Sequence, residues 1–302
     1  MQKRNRVLIY IASVILIALT VCGSIWDFEI ANAVYIGQTP SENIFGIIFS
    51  FIGIIPTFVG WSFLGASIFC LSKKQIQDTA KRRWLMALAI LLFVISFFYF
   101  CTTLYLANAN VLKVHFAVAY PIGSVILFAA AYLGYKLSEK SEDTELLKKA
   151  LFLVAVSFVT LLIISATKNL MCRPRFRFVL ATENMDYFKN WWQSGREIKT
   201  SLGHGIESDE FASLPSGHSA YSMFAIFIFP ALADYVRGFK RFKHHLFALG
   251  FVWWAMTAFS RLTIGAHYLT DVTIAGLVTI FAYAIVLLAE KLYLKRKNKK
   301  SI

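Results

Sequence analysis

Charge is scarce in this chain. Asp, Glu, Lys and Arg make up 16% of its 302 residues, where a typical water-soluble domain has about a quarter. Cysteine is scarce too. The four present, Cys22, Cys70, Cys101 and Cys172, are scattered with no metal-ligand spacing, which excludes a disulfide framework and a thiolate metal site. The first three fall in or beside apolar runs, where a free Cys behaves as a small hydrophobe. Leu19-Thr20-Val21 before Cys22 faintly resembles a lipoprotein processing site, but Val21 is larger than the small residue such a site requires. No soluble domain or low-complexity linker interrupts the chain. The longest non-apolar stretch is about 176–213, well beyond ordinary connection lengths. No acidic cluster suggests a metal site, and no cofactor is expected.

What fills the sequence is apolar: 58% of its residues are hydrophobic. They are arranged in runs of about 20 residues, enough to cross a bilayer as helices that satisfy their own backbone groups. Eight spans are expected, at roughly 7–26, 45–71, 84–107, 115–137, 149–167, 217–235, 246–262 and 270–292. The first is long for a signal-peptide core and lacks a small-residue cleavage pattern, so it reads as an uncleaved span. The expected fold is therefore all-α, a polytopic transmembrane helix bundle forming a single domain over 1–302.

The net charge of +14 points to membrane topology rather than nucleic acid, because the cations cluster at the ends of apolar runs. Alternate connections carry Lys3, Arg4 and Arg6; Lys73, Lys74, Lys81, Arg82 and Arg83; Lys136, Lys140, Lys148 and Lys149; Arg237, Lys240, Arg241 and Lys243; and Lys291 to Lys300. The opposite set has no Lys or Arg between 27 and 44 and only Lys113 near the third-to-fourth connection. Both termini are thus expected in the cytoplasm, with the plasma membrane as the expected location. On the outer side, Lys168, Arg173, Arg175, Arg177, Lys189, Arg196, Lys199 and Arg261 break the pattern, and topology does not account for them. Trp26, Trp61, Trp84, Trp253 and Trp254 fit interfacial belts. Trp191 and Trp192, in the long outer loop, suit either a surface or a lid over the acyl chains of a lipid.

Three outer segments share the exceptional cations. The first runs from Lys168 through Arg173-Pro174-Arg175-Phe176. Lys168 and Arg175 are seven residues apart and would share a helix face if the helix persisted, although Pro174 is expected to break it. The second, Leu214-Pro215-Ser216-Gly217-His218, opens a span as an anion-receptive helix N-terminus. The third, from Ser260-Arg261 through Gly265 and His267 to Asp271, stands at the mouth of the last span. Singly, each has a plain reading: snorkelling cations, a capping histidine, a helix-starting Asp. Together they bring at least three cations, two histidines and a carboxylate to one membrane face.

These segments resemble the signature of the type 2 phosphatidic acid phosphatase (PAP2) superfamily: Lys-x6-Arg-Pro, Pro-Ser-Gly-His, and Ser-Arg-x5-His-x3-Asp. The second and third match in full. The first matches at Lys168 and Arg175, with Phe176 in place of Pro; a register on Arg173-Pro174 has the wrong spacing from Lys168. The match covers about 168–271, inside a catalytic core of about 149–292 that follows the earlier spans at about 7–137. Family members commonly have six spans, so two are extra here.

The resemblance implies that His267 is a nucleophile forming a phosphohistidine, that His218 is the general acid and base, and that Asp271 orients His267. It implies that Lys168, Arg175 and Arg261, with backbone N–H groups at Ser216 and Gly217, hold the phosphoryl group without metal. His267 and Asp271, four residues apart, would face each other on one helix, fixing the tautomer. The implied activity is hydrolysis of a lipid-linked phosphate or diphosphate, at the lipid bilayer and on the extracytoplasmic side. Two alternatives stand beside it: a phosphotransferase with an alcohol acceptor, and a non-catalytic binder or transporter of lipid phosphates. Soluble vanadium haloperoxidases share the motif, and the apolar spans speak against one.

Overall fold

The computed structural model describes residues 3–39, 41–111, 116–236 and 238–300. Lys113 and Arg237, used above for topology, lie outside them. Among the described residues the chain is helical with no strand. The helices are α1 (Lys3–Val34), α2 (Ile44–Ile52), α3 (Ile55–Gln75), α4 (Thr79–Val111), α5 (Phe116–Lys140) and α6 (Leu146–Met171). There follow α7 (Phe176–Thr182), α8 (Arg196–Leu202), α9 (Gly217–Met223), α10 (Ala225–Tyr235), α11 (Lys243–Thr263) and α12 (Leu269–Lys300).

Seven segments are long and apolar enough to cross a membrane, α2 and α3 counting as one, which is the make-up of an integral membrane protein. The sixth expected span, 217–235, is instead two short helices, α9 and α10. They are separated at Phe224, whose N–H bonds the Tyr221 carbonyl only three residues back in a tightened turn. The first span is longer than expected. Its helix passes a kink at Trp26, where φ is −127° and ψ 32°, and continues to Val34.

The chain forms two compact units. One comprises Gly37–Val154 and Tyr221–Ser260. Here α3 packs against α4 and α5 through small and hydroxyl residues, as helices in lipid do. Ser96 Oγ donates to the Phe58 carbonyl at 2.6 Å and Ser62 Oγ to the Leu127 carbonyl at 2.7 Å. At Gly134 a Cβ would fall 2.2 Å from the Phe63 carbonyl oxygen, so only glycine lets these backbones meet.

The other unit comprises the chain up to Ile36, Ala155–Ala220 and the chain from Arg261 onward. In it α1 lies along α12. Thr20 Oγ1 donates to Thr273 Oγ1 at 2.8 Å. A Cβ on Gly23 would stand 2.8 Å from the Thr270 methyl group and 3.2 Å from its backbone nitrogen. Ile164, Ala220 and Ala275 are buried together, joining α6, α9 and α12. All three motif segments converge on this unit, with Ser260 alone outside it.

Candidate active site

The third segment is shaped by the end of α11. Gly265, in the left-handed region at φ +67°, sends its N–H to the Leu262 carbonyl at 2.9 Å. The Ala266 N–H reaches the Arg261 carbonyl at 3.1 Å. This pair of bonds is a Schellman ending, which a residue with a Cβ resists. The chain then turns through His267 before α12 begins at Leu269. Asp271, in the first turn of α12, reaches back to accept the Tyr268 N–H at 2.9 Å, the reciprocal half of a capping box.

His267 therefore precedes the helix that carries Asp271, which corrects the expectation that the two share one helix face. They still meet, with Nδ1 of His267 3.7 Å from Oδ2 of Asp271. That is an electrostatic contact, too long for a hydrogen bond, and Nδ1 is buried with no hydrogen-bond partner among the described residues. The carboxylate is already engaged. Oδ2 also accepts Ser213 Oγ at 2.5 Å, and Oδ1 accepts Arg173 Nη1 at 2.6 Å.

In the first segment α6 stops at Met171, and Cys172 turns the chain at φ +45° before Pro174. Lys168 and Arg175 thus approach each other across a turn rather than along one helix. Lys168 Nζ donates to the Ala212 carbonyl at 2.7 Å. Arg175 Nε donates to the Asp209 carbonyl at 2.8 Å, and Nη2 pairs with the Asp209 carboxylate at 2.7 Å. Arg177 pairs with Glu210 at 2.5 Å. The acidic run at 207–210 thus straps the cationic segment.

Phe176 is the first residue of α7. A proline is also tolerated at that position, because its N–H has no intrahelical acceptor, so the family's Pro and this chain's Phe begin the helix equally well. The ring is fully buried, packed with Ala31, Tyr268, Phe28, Tyr35 and Phe188.

The second segment corrects one expectation. The Ser216 N–H, read as a phosphate donor, is bound to the backbone carbonyl of Asp271 at 3.0 Å. Its hydroxyl accepts the Ser219 N–H at 3.3 Å, so Ser216 caps α9. Gly217 opens that helix, where a backbone N–H has no acceptor within the helix. His218 follows, half-buried.

His218 lies within electrostatic range of Arg261, His267, Arg175 and Lys168. Arg261 is buried at the end of α11 and interacts with Arg175. Two histidines and three cations from three distant segments therefore form one cluster. His267 is 1% exposed. Burial first, then Arg175 and Arg261, push its pKa down to about 3 against the opposing pull of Asp271, which leaves a neutral imidazole at ordinary pH. Burial would raise the pKa of the Asp209 carboxyl, but Arg175, Lys168 and Arg177 outweigh it and hold it below the usual range. A neutral imidazole facing fixed positive charge suits attack on a phosphoryl group.

Sequence reasoning missed the support behind Asp271. Arg173 is fully buried, and its guanidinium bonds Asp271, Asp27 Oδ2 at 2.8 Å and Thr270 Oγ1 at 2.8 Å. Its Nε donates to the Lys189 carbonyl at 2.7 Å, and its Cζ stands 4.2 Å from the Tyr268 ring centre. Asp27 was passed over because the apolar run stops at Trp26. The available signal was an acid within a helix long and apolar enough to cross a membrane, a functional pointer by default.

Neither a curated protein nor a solved structure matches the chain. Residues 149–295 match the family model described as PAP2 superfamily. Those residues carry every histidine and cation of the cluster just described, and with them this part of the chain belongs to the PAP2 superfamily.

Proposed function

We propose that this protein is a membrane phosphatase that hydrolyses a lipid-linked phosphate or diphosphate through a phosphohistidine at His267. One observation carries the reading: a buried neutral imidazole, His267, sits beside a second histidine among Lys168, Arg175 and Arg261, with a carboxylate behind it. Phosphatase-type activity is what the superfamily supports.

In the first step Nε2 of His267 attacks phosphorus and the bond to the leaving oxygen breaks. His218 gives that oxygen its proton. The imidazole becomes cationic as the P–N bond forms, and Asp271 offsets the charge, drawing closer to Nδ1–H. In the second step His218 takes a proton from water, the hydroxide attacks phosphorus, the P–N bond breaks and phosphate departs. Lys168, Arg175 and Arg261 neutralise the phosphoryl oxygens throughout, Arg by its fork of donors. The backbone N–H at Gly217 is the remaining donor of the helix end. These cations do the work that a divalent ion does elsewhere, so turnover is expected to survive chelation.

The distribution of Lys and Arg along the chain supports an active site on the extracytoplasmic side of the plasma membrane, with both termini in the cytoplasm. Trp191 is tied by Nε1 to Ser24 Oγ at 2.8 Å, and Trp192 packs edge-on against it while 54% exposed, which suits a wall for the acyl chain.

The test is phosphate release in detergent from a panel of lipid phosphates and diphosphates, with no added alcohol and with His267→Ala as the control. Release that depends on His267 supports hydrolysis. Turnover only when an alcohol is supplied means phosphotransfer, and binding without turnover in either protein means a carrier.

A further inference from the structure

We infer that Asp27, on α1 and outside the matched region, is a positioning residue for the reaction: through Arg173 it sets the charge and orientation of Asp271 behind His267. This deepens the phosphatase reading and rests on it.

The contacts form an unbroken chain. The Asp27 carboxylate accepts Arg173 Nη2 at 2.8 Å, the Thr270 N–H at 3.0 Å and the Thr270 hydroxyl. Arg173 Nη1 donates to Thr270 Oγ1 and to Asp271 Oδ1. Asp271 Oδ2 faces His267 Nδ1. The side chains of Asp27, Arg173 and Asp271 are 2%, 0% and 0% exposed. Every bond to either carboxylate in this chain comes from a donor, so both acids act as ionised acceptors.

Charge then decides the role. Two carboxylates and one guanidinium leave one net negative charge behind His267. That charge is what the imidazole requires when it becomes cationic on taking the phosphoryl group. Without Asp27, Arg173 would cancel Asp271, and the phosphohistidine cation would form against a neutral backing. Asp27 also holds the first turn of α12 through Thr270, and Asp271 belongs to that turn. Nothing in this arrangement touches substrate, so the effect should fall on the chemical step and spare binding.

The test compares wild type, Asp27→Asn and Asp27→Glu in detergent, with dioctanoyl phosphatidic acid and dioctanoyl glycerol diphosphate as probes. Glu29→Gln, an exposed acid on the same helix, is the control. Asp27→Asn is expected to lower kcat about tenfold to a hundredfold, the span typical of residues that orient a histidine from behind, with KM within about twofold. Asp27→Glu is expected to recover part of the loss, and Glu29→Gln to match wild type. If Asp27→Asn does not fold, Asp27→Ser, which removes the carboxylate and keeps a small polar side chain beside Arg173, takes its place with the same expectation. A folded variant that keeps wild-type kcat, or that loses kcat only in step with KM and thermal stability, overturns the inference. A wild-type protein inactive on both probes and on the wider panel overturns the phosphatase reading instead.

Discussion

The Arg175 side chain, 7% exposed, is held at 2.7 Å by the carboxylate of Asp209, whose own side chain is 61% exposed. A phosphoryl group that binds Arg175 must compete with an acid the protein already supplies. Asp209→Asn is therefore expected to lower KM about two- to fivefold, the factor equivalent to ~0.5–1 kcal/mol of solvent-exposed ion pairing. Initial rates over a range of substrate concentration measure it, and the same reduction should appear in the inhibition constant of inorganic phosphate.

In the proposed mechanism His218 acts in both steps, but the first step needs its proton only when the leaving oxygen is basic. With para-nitrophenyl phosphate, His218→Asn should still be phosphorylated at His267 and then stall. Turnover is expected to fall ~10²–10⁴-fold, the usual contribution of general acid–base catalysis. Acid-labile phosphoenzyme should accumulate and be visible by mass spectrometry after a rapid quench.

The buried neutral state of His267 couples stability to pH. Its folded pKa of about 3 lies below the ordinary 6.5, so between these values the unfolded chain takes up a proton that the folded one refuses. Stability from this group is fully present above pH 6.5 and is lost as pH falls toward 3. Thermal midpoints in detergent should therefore drop more steeply from about pH 7 to about pH 4 in wild type than in His267→Asn.

Phe176 stands where the superfamily signature has proline. Phe176→Ala is expected to cost ~3–5 kcal/mol as a large-to-small change in a closed aromatic cluster. Phe176→Pro should cost a similar amount even though α7 can begin with it, because the penalty comes from the lost ring and not from the backbone. Thermal unfolding of the two variants checks this, and equal midpoints are the expected result.

The site was legible in the sequence where its residues lie in short segments with fixed spacing, as from Pro215 to His218 and from Arg261 to Asp271. Partners set by tertiary approach were not. The amide of Ser216 looks like a free helix-end donor until α12 brings the Asp271 carbonyl to it. Asp27 was lost because hydropathy marks where apolar residues stop, at Trp26, whereas the helix continues to Val34. The region 217–235 read as one span because its composition is continuous, and the tightened turn at Phe224 leaves no mark in hydropathy.

At Gly23 even a methyl group would collide with Thr270, so the first helix rests almost backbone to backbone on the last. Anyone trimming this protein to residues 149–295 would be opening a wall rather than removing an appendage. The Arg173 guanidinium would be left with one acid instead of two. On the proposed mechanism, a minimal working version of this protein is therefore expected to keep its first helix.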